Sequence, residues 1–326
     1  MAENVLIVHG GGPTAVINSS LYGVIREARE SGRIGKVYAA IGGSEGVLRE
    51  RFLDLLQFPE ERLELLLETP ATAIGSSRYA LEPGDYRAMV DIFKRYEIKY
   101  VLLNGGNGTM DTCGHIYEAC LGEDIRVVGI PKTIDNDIAI TDHTPGYASA
   151  ARYIAATTAE VGADVKSLPI HVCVLEAMGR NAGWITAASA LARKKPGDAP
   201  HLIYLPEVPF DPEDFLLDVK RLLFERNNVI VAVSEGIRDA SGNYISASEQ
   251  SVDTFGHSQL SGAGKTLEYL VKEKLGVKVR SIEINVLQRC AAHLASKTDL
   301  DESFALGQKA VALSEEGITA SMVTME

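Results

Sequence analysis

The stretch PKTIDND, residues 131–137, crowds carboxylates and a lysine into seven positions. Asp135 and Asp137 stand on either side of Asn136, and Lys132 lies just upstream. If the backbone there is extended, side chains two residues apart point to the same side, which predicts that both carboxylates face one way. One of them could act as a general base toward a hydroxyl group while the other steers a metal ion or the substrate. The composition leaves an alternative open, an Asx-type turn in which the polar side chains of the stretch bond to their own backbone.

Two glycine-rich segments could bind the phosphate groups of a ligand. Residues 10–12 read GGG after one apolar run, and residues 105–109 read GGNGT after another. Glycine leaves backbone N–H groups open to an anion, and the positive end of a following helix adds to the attraction. Thr109 is placed to cap the helix that follows the second segment. Two such segments in one predicted sheet indicate a phosphorylated ligand.

Acidic and arginine side chains follow other apolar runs. Glu176 and Arg180 enclose the segment EAMGR, Glu235 lies in SEG, and Arg289 ends LQR. A guanidinium group binds phosphate through paired hydrogen bonds, so arginines at successive strand ends indicate a clamp for a phosphorylated substrate. The neighbouring acids would suit the hydroxyl groups of a sugar.

These polar segments all follow short apolar runs, which we predict to be buried strands. The runs read NVLIVHG, KVYAAIGG, KYVLLNGG, RVVGIPKT, IHVCVLEA, HLIYLPEV, NVIVAVSEG and VRSIEIN. Amphipathic segments between them predict helices over residues 86–97, 181–193, 212–226 and 266–275. Regular alternation of strand and helix is typical of a doubly wound α/β protein, in which helices cover both faces of a mainly parallel sheet. Ligands bind beyond the carboxyl ends of the strands in such sheets, which is where the polar segments lie.

The bulk properties limit the possible partners. The chain has 326 residues and a formal charge of −12, so its net field would repel nucleic acids and anionic membranes. The four cysteines are scattered without a CxxC pair, which predicts buried reduced thiols and neither a zinc site nor disulfides. The first residues do not resemble a signal peptide, and no uncharged apolar run reaches the roughly 18 residues of a membrane span. We therefore expect a cytoplasmic enzyme or binding protein with no nucleic-acid or membrane partner.

Taken in order, the motifs GGGPTAVIN, GSSRY, GGNGT, PKTIDND, EAMGR, SEG and LQR resemble those of the phosphofructokinase family over nearly the whole chain. The resemblance implies transfer of a phosphoryl group to the 1-hydroxyl of fructose 6-phosphate, with Mg²⁺ as cofactor. It also implies two similar Rossmann-like lobes with mainly parallel sheets and an active site in the cleft between them. Residues 1–140 and a C-terminal return segment would bind the phosphoryl donor, and residues 141–300 would bind fructose 6-phosphate. A homodimer or homotetramer is expected, in which a neighbouring subunit completes the sugar-phosphate pocket.

The resemblance assigns roles to individual positions. Asp135 would be the base that takes the proton from the sugar 1-hydroxyl, and Arg180 would stabilise charge on the transferring group. The substrate side would be formed by Thr133, Asp137, Met178, Gly179, Glu235 and Arg289, with His171 and Arg280 in the pocket that a neighbouring subunit completes. The donor side would be formed by Gly11, Arg78, Asn107, Gly108 and Thr109, with Lys132 at the leaving phosphate.

The chain departs from the family pattern at several of these positions. Asn107 replaces an aspartate and lacks the negative charge that a Mg²⁺ ligand usually brings, so Asp135 or water would then hold the ion. His171 replaces an arginine of the cross-subunit pocket, which predicts a different grip on the phosphate. Leu21 and Ile25 stand where effector-regulated bacterial members carry arginines, so that kind of nucleotide regulation is not expected.

Two positions bear on the phosphoryl donor, and they disagree. Pyrophosphate users of the family generally have aspartate in place of Gly108, where a carboxylate fills and repels the position of the ATP α-phosphate. They also generally have a lysine at the place of Lys132, where many ATP users have glycine. A like-charge block is harder to bypass than an extra cation, so these positions favour ATP. The opening GGGPTAVIN and the ending VLQRCAAHLASKTD resemble the pyrophosphate side of the family.

Three further hypotheses follow from the same residues. The first is the same transfer with pyrophosphate as the donor. The second is a broader kinase, because NAD kinases and lipid kinases share a GGDGT-like element, although they lack the combination of PKTIDND with MGR. The third belongs to another class, a catalytically silent sugar-phosphate sensor, and is suggested by Asn107 and His171.

Overall fold

The computed structural model describes residues 3–245 and 262–326. The chain divides into two compact units. The first unit comprises the chain up to Ser149 together with the return segment Arg289–Glu326, and the second unit is Ala150–Gln288. The strands in the described ranges are β1 (Glu3–His9), β2 (Ile34–Ala40), β3 (Phe52–Asp54), β4 (Ile98–Gly105), β5 (Arg126–Pro131), β6 (Val172–Ala177), β7 (Leu202–Tyr204), β8 (Val229–Ser234), β9 (Val279–Glu283) and β10 (Ser321–Met322).

The helices lie between these strands and at their ends. They are α1 (Ile17–Ser31), α2 (Gly43–Leu48), α3 (Glu60–Glu64), α4 (Pro83–Arg95), α5 (Asn107–Ala119), α6 (Tyr147–Ser167), α7 (Trp184–Ala188), α8 (Pro212–Glu225), α9 (Ala263–Leu275), α10 (Leu287–Cys290) and α11 (Lys297–Glu315). Each predicted apolar run forms a strand, which confirms the α/β class with mainly parallel sheets. The predicted helix over 181–193 is shorter in the structure, because a 3₁₀ turn replaces its second half.

The sheet of the first unit has the strand order β10-β5-β4-β1-β2-β3. Its strands pair in parallel except for β3, which is antiparallel to β2. Val5 and Ile7 of β1 pack into one apolar cluster with residues of α1 and α11. Leu6 and Val8 point to the other face and pack into a second cluster with residues of α4. Because helices cover both faces, the strands contain continuous apolar runs without polar alternation.

The sheet of the second unit has the order β7-β8-β6-β9, and each of its pairs is parallel. Val172 and Val174 of β6 pack with residues of α8 and α9, while Cys173 and Leu175 face a cluster that includes Val165 of α6. Parallel pairing places the carboxyl ends of β6 and β8 side by side. The segments EAMGR and SEG follow these two ends and are therefore neighbours.

Helices α1 and α11 of the first unit approach each other closely at glycines. A Cβ atom at Gly23 would overlap the Phe304 carbonyl oxygen, and one at Gly307 would overlap the Ser20 carbonyl oxygen. Only glycine permits this contact of helix backbones. The return segment is thereby packed directly against the helix that follows β1.

Gly307→Ala should destabilise the protein by about 1–3 kcal/mol, because the added methyl group forces the two helices apart. The measurement is the free energy of unfolding in urea. Gly114→Ala is the matched control, since Gly114 lies inside α5 with no atom of the described residues within 4 Å of an added Cβ. That control should be neutral or stabilise by up to about 1 kcal/mol. Equal stability of the two variants would contradict the close helix contact.

Candidate active site

The first glycine segment is held at the carboxyl end of β1. The Gly10 N–H donates to the Asn104 carbonyl at 2.9 Å, and Gly10 forms an isolated parallel bridge with Ser77. Gly11 has a φ of +71°, and its carbonyl accepts a hydrogen bond from Ser76 Oγ at 2.8 Å. Arg78, the predicted donor-binding arginine, follows this bridge directly and is exposed. The GSSRY motif therefore lies beside the glycine segment in the same unit.

The second glycine segment begins helix α5 beyond the end of β4. The helix starts at Asn107 with Gly106 as its N-cap. The prediction that Thr109 caps this helix was wrong, because the helix begins two residues earlier. The Thr109 side chain packs instead on the backbone of Gly10 and Gly105, where an added Cβ would overlap it. Thr109 therefore holds the two glycine segments together.

Gly108 lies in the first turn of α5. A Cβ built there would have no atom of residues 3–245 and 262–326 within 4 Å. The space next to Gly108 is open, as the sequence argument for ATP requires. An open space admits a larger donor and does not by itself attract one.

Lys132 is buried against the first glycine segment. Its side chain is 3% exposed, and its Nζ donates to the Gly12 carbonyl. A methyl group at Gly12 would lie 2.6 Å from Arg289 Nη1, so a second cation adjoins the same glycine. The pKa of Lys132 is lowered to about 8, chiefly by burial and also by the charge of Arg289, while Asp135 acts in the opposite direction. Two cations therefore surround one short stretch of backbone.

The stretch after β5 is bent and not extended. Asn136 has a φ of +55°, and Ile134 and Asp135 lie in a bend. The Asp135 N–H donates to Thr133 Oγ1 at 3.1 Å, and the Thr144 N–H donates to Asn136 Oδ1 at 2.9 Å. Because the backbone is bent, the alternation of an extended strand does not place both carboxylates on one side, contrary to the prediction. Thr133 accepts a bond from the backbone two residues on, as the turn alternative predicted, whereas Asn136 accepts from Thr144, which lies outside the stretch.

Asp137 is linked to the second glycine segment. The Asn107 side chain forms a hydrogen bond with it. Desolvation raises the pKa of Asp137, while the bonds to its own backbone and to Asn107 lower it. The first unit thus brings together Gly11, Asn107, Lys132, Asp137 and Arg289. Backbone N–H groups, cations and carboxylates in one place can bind the phosphates of a donor and accept a proton.

The second unit joins the segments EAMGR and SEG through short polar contacts. The Gly179 N–H donates to Glu235 Oε1 at 3.2 Å, and Ser234 Oγ donates to the Gly179 carbonyl at 2.6 Å. The Met178 N–H donates to Gln288 Oε1 at 3.3 Å. Gly179 has a φ of +126°, which only glycine adopts without strain. Met178, Gly179 and Glu235 are therefore adjacent, as the resemblance implied for a sugar-phosphate pocket.

Arg180 follows this turn with a guanidinium group that is partly unsatisfied. Its Nε is buried and has no hydrogen-bond partner within the described part of the chain. A Cβ at Gly236 would overlap the Arg180 carbonyl oxygen, so the two backbones are in contact. A buried guanidinium N–H without a partner is costly, and an anionic ligand would satisfy it.

His171 and Arg280 are not part of this cluster. His171 precedes β6, and Arg280 pairs with Cys173 near the start of that strand. Both lie toward the amino end of the sheet, whereas Met178 and Glu235 follow the carboxyl ends. The single chain therefore does not bring these two residues to the pocket of its own second unit.

No group of three or more His, Cys, Asp or Glu side chains in the described ranges could hold a metal ion on its own. Within the same ranges, no helix is long and apolar enough to cross a membrane.

Sequence reasoning missed three residues that shape these sites. Gln288 precedes the predicted Arg289 and binds the Met178 backbone, and Ser234 precedes the predicted Glu235 and binds Gly179. Asn104 is the penultimate residue of β4 and anchors Gly10 through its backbone carbonyl. Their signal was position, since Ser234 and Gln288 lie inside the motifs SEG and LQR and Asn104 directly precedes GGNGT. The three side chains are uncharged, and the sequence prediction selected mainly charged residues and glycines.

Comparisons with known proteins place the chain among sugar-phosphate kinases. A family model described as phosphofructokinase matches residues 4–313. A relative from Rhodospirillum rubrum named pyrophosphate–fructose 6-phosphate 1-phosphotransferase is 43% identical over 334 residues, which cover 98% of this chain and 81% of the relative. A relative of the same name from Halomonas elongata is 41% identical over 331 residues, with 98% and 79% covered. A more distant relative from Mycobacterium leprae, named ATP-dependent 6-phosphofructokinase, is 30% identical over 326 residues, with 98% and 89% covered.

A solved structure supports the fold. The crystal structure of the pyrophosphate-dependent phosphofructokinase from Marinobacter aquaeolei matches with a TM-score of 0.88 at 36% identity, and the match covers 99% of this chain and 78% of that chain. The α/β fold expected from the sequence is confirmed.

The contact between Gly10 and Thr109 can be tested by a pair of changes. Gly10→Ala should destabilise the protein by about 1–3 kcal/mol, because its methyl group overlaps the Thr109 side chain. In the background of Thr109→Ala the same change should cost about 1 kcal/mol less, since the overlapping atoms are gone. Urea unfolding of the four proteins gives this coupling. Costs that simply add would contradict the contact.

Proposed function

Because the chain belongs to the phosphofructokinase family, we propose that it transfers a phosphoryl group from pyrophosphate to the 1-hydroxyl of fructose 6-phosphate. The observation that carries this proposal is the identity of 41% and 43% to relatives named for that reaction, against 30% to one named for ATP. The preference for ATP that the sequence suggested is not confirmed by these comparisons. The product would be fructose 1,6-bisphosphate.

In the first unit we assign the donor and the base. Backbone N–H groups of Gly11 and of the segment 107–109 would bind the donor phosphates, with Arg78 beside them. Lys132 would neutralise the leaving phosphate. Asp135 would take the proton from the sugar hydroxyl, a role that typically contributes about a hundred- to ten-thousandfold in rate. Phosphoryl transfer needs positioning and charge stabilisation more than covalent help, and this set of groups can supply both.

In the second unit we assign the sugar phosphate and the transferring group. Met178, Gly179 and Glu235 would hold fructose 6-phosphate, and the unsatisfied guanidinium of Arg180 would stabilise charge on the transferring group. His171 and Arg280 would contribute to the sugar-phosphate pocket of a neighbouring copy, since both lie at the opposite end of the sheet from the pocket of their own chain. This assignment implies a homodimer or homotetramer.

Arg289 is better assigned to the donor than to the sugar phosphate. The family resemblance predicted that Arg289 binds the sugar phosphate together with Met178 and Glu235. Its guanidinium instead adjoins Gly12 and lowers the pKa of Lys132 through its charge. We propose that Arg289 and Lys132 together offset the charge of the donor.

Mg²⁺ fits the residues present if the donor shares its coordination. This ion usually binds through one or two carboxylates together with substrate phosphates and water. Asp137 would supply the carboxylate, and Asn107 would hold it in place through its hydrogen bond. The bound ion would supply positive charge to the phosphate oxygens.

ATP is the second candidate donor, and the open space at Gly108 favours it. The comparison that separates the two candidates is the initial rate with each donor at equal concentration, with fructose 6-phosphate as the acceptor. We expect product with pyrophosphate and a much lower rate with ATP. Gly108→Asp should remove the residual ATP rate and leave the pyrophosphate rate within a few fold. A rate with ATP that exceeds the pyrophosphate rate would overturn our choice of donor.

Asp135→Asn is the control for chemistry in this assay. It should lower turnover by about a hundredfold or more with either donor while the protein remains folded. Calorimetric binding of fructose 6-phosphate by the unmodified protein, without product under either donor, would instead support the silent sensor.

The pKa of Lys132 predicts a pH dependence. It lies near 8, below the ordinary 10.5, so the free folded enzyme loses the ammonium charge above about pH 8. The value of kcat/KM for pyrophosphate should therefore fall about tenfold per pH unit above that point. Unfolding does not explain such a fall. Between pH 8 and 10.5 Lys132 is more protonated in the unfolded chain than in the folded one, so its contribution to the free energy of unfolding rises with pH. The Lys132→Arg variant keeps its positive charge in this pH range, so its kcat/KM for pyrophosphate should not fall above pH 8. A fall that persists in the variant would show that another group titrates.

A further inference from the structure

The segment that follows β8 carries an arginine that contacts the turn after β6. Arg238 Nη2 donates to Asn181 Oδ1 at 2.8 Å and also to the Tyr244 hydroxyl. The guanidinium carbon lies 4.4 Å from the centre of the Tyr244 ring. Backbone bonds from Asp239 N–H to the Asn243 carbonyl at 2.9 Å fold this segment back on itself. Arg238 is therefore held by its own segment while it reaches across to the neighbouring turn.

Asn181 is the residue directly after Arg180. Gly236 is in contact with the Arg180 backbone, because a Cβ at Gly236 would overlap the Arg180 carbonyl oxygen. Gly179, which precedes Arg180 in the chain, forms backbone hydrogen bonds with the side chains of Glu235 and Ser234. The residues on either side of Arg180 along the chain are thus held in different ways: Gly179 by Glu235 and Ser234, and Asn181 by the side chain of Arg238.

The chemistry of arginine suits this task. The guanidinium carbon lies over the Tyr244 ring, and Nη2 also donates to the hydroxyl of that ring, so two contacts to one side chain restrict its orientation. The planar fork can then present Nη2 to the Asn181 oxygen in one orientation. A lysine ammonium is a point charge on a flexible stem and cannot reproduce this geometry.

We propose that Arg238 is a positioning residue for Arg180, acting through Asn181. The proposal rests on the proposed function, in which Arg180 stabilises charge on the transferring phosphoryl group. If the turn is released, the Arg180 guanidinium samples directions that do not face that group. Displacements of about 1 Å from a productive geometry can cost about a hundredfold in rate. The loss should appear in turnover and not in substrate affinity.

Kinetics of Arg238→Ala and Asn181→Ala test this proposal. Each change should lower kcat by about tenfold to a hundredfold and leave KM for fructose 6-phosphate and for the donor within about twofold. The double variant should be no slower than either single one, since both changes break the same contact. Arg238→Lys should recover little of the loss. Arg221→Ala is the matched control, because Arg221 is an exposed arginine of the same unit, paired at 2.8 Å with Asp218, and should retain full activity.

Hydrogen–deuterium exchange provides a readout that does not need activity. Arg238→Ala should speed exchange in peptides covering residues 178–184, and Arg221→Ala should not. An unchanged kcat, losses that multiply in the double variant, or unchanged exchange would each overturn the role of Arg238. A rise in KM without a fall in kcat would also overturn it, because Arg238 would then bind substrate directly. An unmodified protein that makes no product with either donor would overturn the proposed function instead, and exchange would still decide whether Arg238 holds the turn.

Discussion

A buried lysine ammonium held against a glycine carbonyl is the interaction on which the site of the first unit depends. Burying a charge is unfavourable unless nearby groups compensate it, and Lys132 is 3% exposed. Asp135 offsets part of the charge, whereas Arg289 adds a second positive one. Two cations and nearby carboxylates therefore share a small region of a chain whose formal charge is −12. In the proposed function, an anionic donor that enters this region would relieve the repulsion between the two cations.

The return of the chain to the first unit is what fixes the geometry around this lysine. The return segment contributes Arg289 itself and also Asp299, whose buried carboxylate accepts bonds from the Gly146 N–H at 2.8 Å and the Ser149 N–H at 2.9 Å. Gly146 in turn forms a bridge with Thr133, at the start of the carboxylate stretch. A residue near the end of the sequence thus determines the path of the loop that carries the proposed base. Close packing of α11 on α1 keeps this arrangement in place.

The sequence predicted the strands well because burial on both faces leaves long apolar runs, and parallel pairing then places the motifs at one edge of each sheet. The short strands β3 and β10 were missed, since three and two residues carry no periodicity. Within the site, the residue types were evident but the backbone was not. The left-handed Asn136 bends a stretch expected to be extended, and α5 begins before Thr109. Such local choices depend on hydrogen bonds that leave the stretch itself, for example that of Asn136 with the N–H of Thr144, eight residues further along the chain.

The two positions that bear on the donor act by different physical means, and this difference explains how they can disagree. Gly108 acts through volume, because its open space permits a donor with an additional group and stabilises none. Lys132 acts through charge, and its effect grows as the charge of the leaving group becomes more concentrated. A departing inorganic phosphate concentrates its charge on one small group, whereas a departing nucleoside diphosphate spreads charge over a longer chain. A buried ammonium beside the glycine segment therefore benefits the smaller leaving group more, and an open space nearby does not reduce that benefit. On these grounds the lysine supports the proposed pyrophosphate donor more than the open space at Gly108 opposes it.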